Sequence, residues 1–96
     1  MIRALLLLLL LPHQVEGAER SRSVRDAFVA ENPCPIYDEK AKKCLAEVDH
    51  IEPLCAGGKD SVENLQWLSI EQHRLKTRID VLRCAVIRRE RERRQR

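Results

Sequence analysis

The sequence has 96 residues, a formal net charge of +3, and one each of Phe, Tyr and Trp. That length leaves room for a single domain, and so few large side chains exclude a sizeable hydrophobic core. A domain this small and polar needs a covalent staple or a bound metal to hold its fold.

The chain opens with Arg3, an eight-residue apolar run from Ala4 to Leu11, and a break at Pro12. The run falls short of the about 20 apolar residues that cross a bilayer, and it has the length of a signal-peptide core. Residues 1–17 are therefore read as an export signal cut after Gly17, with an uncleaved membrane anchor as the alternative. The mature protein is expected to be exported, periplasmic or secreted, with no stable membrane insertion. Residues 18–96 would form its one domain, divided into an N-terminal helix (18–33), a core (34–84) and a basic tail (85–96).

Between Arg20 and Asn32 the apolar residues Val24, Ala27 and Phe28 recur at helical spacing. Asn32-Pro33 ends that helix, because a residue before proline avoids helical dihedrals. The segment from Cys34 to Lys43 follows directly on Pro33, contains Pro35 and a charged cluster, and reads as an irregular loop. Leu45–Ile51 and Asn64–Leu68 are strand candidates, and Pro53, Gly57, Gly58 and Asp60 supply turn chemistry between them.

The last helix has a clear start, since Ser69-Ile70-Glu71-Gln72 fits a capping box. Beyond it Leu75, Ile79, Leu82 and Val86 form one apolar stripe, with His73, Thr77, Asp80 and Cys84 on the other side. The stripe is expected to pack on the N-terminal helix through Val24 and Phe28, and the opposite face to close over the two strands. The whole is an α+β arrangement, with an N-terminal helix and a long basic C-terminal helix around two short strands.

Cys34, Cys44, Cys55 and Cys84 all fall after the export signal, and an even count in an exported small domain reads as two disulfides. Zinc is the rival, weakened because these cysteines stand singly rather than in closely spaced pairs. Three pairings remain open, with Cys34–Cys44 and Cys55–Cys84 preferred.

Charge is segregated along the chain. Residues 18–73 carry 7 basic and 11 acidic side chains, whereas residues 74–96 carry 10 basic and 3 acidic. The basic end points to an anionic partner. Arg74, Lys76 and Arg78, beside His73, are candidates for phosphate contacts that give affinity without reading sequence. The tail from Arg88 to Arg96 reads equally as nucleic-acid contact or as a solvated helix end laced by its glutamates.

Four blocks stand in one order: Val48-Asp49-His50-Ile51-Glu52-Pro53-Leu54, then Gly57-Gly58, then Asn64-Leu65-Gln66, then His73-Arg74-Leu75-Lys76-Thr77. This order and spacing resembles the HNH endonuclease family, over the stretch from Val48 to about Val81. A His-Asn-His triplet alone carries little; the adjoining Asp, the double glycine, the Asn-Leu-Gln strand and the His-x-x-Lys-Thr helix make the likeness specific. The resemblance implies a small ββα-metal core in which two strands and a helix grip one divalent ion. It implies His50 as the general base, Asp49 and His73 as metal ligands, and Asn64 as the residue that holds the loop and the His50 ring. Implied too are DNA as the partner, with RNA as the alternative, and products bearing a 5′-phosphate and a 3′-hydroxyl.

The residue types suit that chemistry. Attack on a phosphodiester builds negative charge on nonbridging and leaving oxygens, which a cation on a carboxylate and an imidazole can neutralise. Histidine, with an ordinary pKa near ~6.5, can accept a proton from water near neutral pH. The ion's identity stays open among Mg, Mn, Ni and Zn. Many relatives carry paired cysteines for a structural zinc, but here the helix-start positions are Ser69 and Gln72, so structural zinc is not expected and disulfides replace it. Adjacent strand residues face opposite ways, so Asp49 and His50 can share a centre only if the strand ends or twists there.

Two rival classes remain. One is a nucleic-acid-binding module with weak catalysis. The other is a disulfide-stapled envelope protein that keeps the HNH fold as a vestige.

Overall fold

The computed structural model describes residues 21–96, and the expected export signal lies outside them. Helix α1 spans Arg22–Glu31; the Ser21 hydroxyl caps its start by accepting from the Val24 backbone N–H at 3.4 Å. Its end falls at Asn32, whose backbone N–H returns to the Phe28 carbonyl at 2.8 Å, one residue before Pro33.

The segment expected to be an irregular loop holds a small hairpin, β1 (Tyr37–Asp38) against β2 (Lys43–Cys44). The Asp38 carboxylate makes its turn by accepting from the backbone N–H groups of Lys40 and Ala41 at 3.0 and 3.2 Å. A disulfide from Cys34 to Cys44 fixes the hairpin to the chain leaving α1, with Cα atoms 6.0 Å apart.

Strands β3 (Ala46–His50) and β4 (Leu65–Ser69) pair antiparallel, with Val48 opposite Trp67, Asp49 opposite Gln66 and His50 opposite Leu65. Helix α2 runs unbroken from Ile70 to Arg94. Its capping box is complete: the Gln72 N–H donates to the Ser69 hydroxyl at 3.1 Å, and the Ser69 N–H donates to the Gln72 side chain at 3.0 Å. The fold is thus a small α+β arrangement of two helices and two antiparallel two-stranded sheets. Among the described residues no helix is long and apolar enough to cross a membrane.

The core is as thin as composition requires, with Phe28, Ala46 and Leu65 buried. Phe28 of α1 rests on Trp67 of β4 with ring centroids 5.8 Å apart, and the Trp67 indole N–H donates to the Asn32 carbonyl at 2.7 Å. Trp67 is therefore part of the core, tying α1 to the sheet.

This contact corrects one expectation. The stripe Leu75, Ile79, Leu82 and Val86 does not pack on α1; these side chains are 53–69% exposed. Phe28 already has its apolar partner in Trp67, so α1 lies along the sheet side and never reaches the outer face of α2. The inner face of α2 does close over the strands, bringing His73 and Lys76 to Asp49.

The long loop between β3 and β4 is stapled to α2. A disulfide joins Cys55 to Cys84 with Cα atoms 5.7 Å apart, and next to it Arg83 of α2 forms an ion pair with Glu52. These are the two pairings preferred from the sequence, and no described cysteine is free.

Candidate active site

Asp49 is the one buried charged side chain among the described residues, 8% exposed. A carboxylate in such a place must be compensated, because an unpaired buried charge is costly. Two groups do this: the Lys76 ammonium lies 3.1 Å from Oδ2, and the Gln66 amide, directly across the sheet, donates to the same oxygen at 3.0 Å. The other oxygen, Oδ1, faces His73 Nε2 at 3.8 Å.

His73 stands in the first turn of α2, where the capping box fixes the helix start and hence the direction of its side chain. Its Nδ1 meets Glu47 Oε2 at 2.7 Å. Glu47 and Asp49 are two apart on β3 and so project from one face of the strand. His73 thus spans two carboxylates, with its Nε2 turned to the buried one.

Lys76 sits one turn further along α2. Besides Asp49 it engages Asp80 at 2.6 Å and donates to the His50 carbonyl at 2.8 Å. Burial alone would lower its pKa, but the carboxylates of Asp80 and Asp49 outweigh that effect and hold it above the ordinary lysine value. Lys76 is therefore a firmly charged group inside the site, apart from Arg74 and Arg78, which are exposed on the helix surface.

His50 is the last residue of β3, where the chain leaves the sheet. It shares with Asp49, His73, Thr77 and Asp80 a cleft of about 750 Å³ between the sheet end and α2. The strand's ending answers the facing problem raised by two adjacent residues. The His50 ring meets Asp60: Nε2 lies 2.8 Å from Oδ1.

Asn64 acts on the loop. Its side-chain oxygen accepts from the Glu52 N–H at 3.0 Å, and its amide donates to the carbonyls of Glu52 at 3.0 Å and Lys59 at 2.7 Å. Its own carbonyl accepts from the Ile51 N–H at 2.8 Å. These bonds close the loop at its base, while the ring of His50 is met by Asp60 from within it. The two glycines make the same closure possible: Gly57 takes a left-handed conformation at φ 91°, and a Cβ on Gly58 would run into the Glu52 carbonyl.

Asp49, His50 and His73 are thus brought together, with Asn64 behind them. Glu47, Gln66 and Asp60 join the site without having been given a role in it from the sequence, where Asp60 was read as a turn residue and Gln66 only as part of a strand block. Alternation along β3 could have found Glu47, and strand pairing Gln66. Asp60 lies in an irregular loop and left no periodic signal.

As a metal grip, the donors form a pair rather than a cluster: among the described residues no group of three or more His, Cys, Asp or Glu side chains is gathered to hold an ion. The pair itself fits, since donor atoms 3.8 Å apart can share an ion at roughly 2.1 Å from each. His73 also has the outer carboxylate that metal-binding imidazoles usually carry on their second nitrogen. No protein-family model, curated protein or solved structure matches the chain.

Proposed function

We propose that this protein is a metal-dependent endonuclease that hydrolyses phosphodiester bonds in DNA, with β3, β4 and α2 serving as a ββα-metal core of the HNH type. The observation that carries the reading is the convergence in one cleft of a buried carboxylate, Asp49, with two imidazoles, His50 and His73, from distant parts of the chain.

In this reading Asp49 Oδ1 and His73 Nε2 hold a divalent ion, which supplies positive charge for the oxygens that become negative during attack. Glu47 fixes the ring of His73, and Gln66 orients Asp49. His50 takes the proton of the attacking water as its oxygen bonds to phosphorus. The bond from phosphorus to the 3′ oxygen then breaks, and that oxygen takes a proton from solvent water and leaves as a hydroxyl. Lys76 adds a fixed positive charge beside Asp49, and Arg74 and Arg78 meet neighbouring phosphates from the exposed side of α2. No element of the site is built to read base edges, so cleavage is weakly specific.

One observation favours a second reading. The Lys76 ammonium already neutralises Asp49, as a metal would, which suits a nucleic-acid-binding module that works without an ion.

Supercoiled plasmid incubated with the protein and Mg²⁺, Mn²⁺ or Ni²⁺, against EDTA, separates the two. The nuclease reading requires nicked circles that appear only with a divalent ion. Retarded but intact plasmid under every condition favours the binding module.

A further inference from the structure

We propose that Asp60 is a positioning residue for His50, holding the neutral imidazole with its proton on Nε2 and its lone pair on Nδ1. The inference rests on the reading of His50 as general base and specifies which nitrogen accepts the proton from water.

The geometry is that of a carboxylate–imidazole pair: Asp60 Oδ1 lies 2.8 Å from His50 Nε2, and the two side chains are 20% and 13% exposed. An ionised carboxylate only accepts hydrogen bonds, so a neutral ring at this distance must present its N–H there. The second ring nitrogen, Nδ1, then carries the lone pair. This is the division of labour in a nucleophile–base–acid triad, where the carboxylate fixes tautomer and orientation and stabilises the imidazolium that forms.

Asp60 is itself held. Its other oxygen, Oδ2, accepts from the Ser21 backbone N–H at 2.5 Å, just ahead of α1. The loop that carries it is closed by Asn64 and tied to α2 by the Cys55–Cys84 disulfide. A side chain anchored in this way can impose an orientation on its neighbour. The nearby ammonium of Lys76 goes to the His50 carbonyl, leaving the ring to Asp60.

The same arrangement dictates what a near-isosteric change does. In Asp60→Asn only one oxygen remains, and the bond to the Ser21 N–H draws it to that side. The new amide N–H₂ therefore faces Nε2 and forces it to accept, which moves the ring proton to Nδ1. The base is then blocked at the nitrogen that should receive the proton.

The test is long-range ¹H–¹⁵N NMR of the purified, disulfide-bonded protein with ¹⁵N-labelled histidine, with the rings neutral, for wild type and Asp60→Asn, paired with plasmid-nicking kinetics. The expected result is the Nε2–H tautomer at His50 in wild type and Nδ1–H in the variant, with kcat down about 10²- to 10⁴-fold and KM for DNA little changed. Reversal of the tautomer with no nicking by either protein supports the Asp60 pairing and removes the nuclease reading. Nδ1–H in wild type, a measurement that does not depend on the variant folding, overturns the proposal, as does one tautomer shared by both proteins.

Discussion

His73 and Glu47 are joined by a short contact, Nδ1 to Oε2 at 2.7 Å, which leaves the other nitrogen of the ring facing Asp49. A partly exposed carboxylate thus sets the direction in which a helix-borne imidazole turns its Nε2. If His73 is a metal ligand, Glu47→Gln weakens divalent-ion affinity by about 10-fold, since loss of such outer partners costs roughly 10- to 100-fold. Calorimetric titration of Mn²⁺ or Ni²⁺ into each protein measures this, and equal affinities would remove Glu47 from the role.

Asn64 closes the β3–β4 loop through three side-chain hydrogen bonds to Glu52 and Lys59. Asn64→Ala leaves the part-buried N–H and carbonyl of Glu52 unpaired, while the exposed Lys59 carbonyl turns to water, and should cost about 2–3 kcal/mol. Urea unfolding reads the loss; a change under about 0.5 kcal/mol would mean that the loop closes without it.

The two disulfides should differ in weight. Cys55–Cys84 spans 29 residues and Cys34–Cys44 spans 10, so loop-closure entropy favours the longer. Replacing both cysteines of the Cys55–Cys84 pair with serine is expected to cost about 3.5 kcal/mol, against about 2.7 kcal/mol for the Cys34–Cys44 pair. Thermal melts of the two double variants check the order, and the reverse order would show that the hairpin matters more to folding than the loop–helix staple.

Lys76 links stability to alkaline pH. The groups that face it are Asp49, Asp80 and the His50 carbonyl. Burial pulls its pKa down, and the carboxylates of Asp80 and Asp49 more than offset that, leaving it above the ordinary 10.5. With the folded value raised above the unfolded one, the contribution is full below the unfolded pKa and is lost as pH rises through the folded one. Wild type should therefore lose stability relative to Lys76→Met only above about pH 10.5, as followed by urea unfolding across that range. A constant difference at all alkaline pH values would contradict the pairing.

Much of this architecture was readable in the chain because it rests on local rules. Ser69 and Gln72 announce the start of α2 by capping chemistry, and that start in turn sets where His73 and Lys76 project. The β3–β4 pair followed from two short apolar segments around a turn-rich loop. Other features depend on how pieces meet in space. The hairpin at residues 37–44 has strands too short to leave a pattern, and it forms around the Asp38 turn. The outer stripe of α2 has the periodicity of a buried face yet stays exposed, because Trp67 had already taken Phe28. Asp60 meets His50 from a loop that Asn64 and Cys55–Cys84 hold folded back, a closure that spacing alone does not encode.

The most direct test of the central claim compares initial plasmid-nicking rates of wild type and His50→Ala with saturating divalent ion, after circular dichroism shows that both are folded. Removal of the general base should slow nicking by about 10²- to 10⁴-fold while DNA binding holds. Equal rates for the two proteins would show that the cleft shared by Asp49, His50 and His73 is not where the phosphodiester is cut.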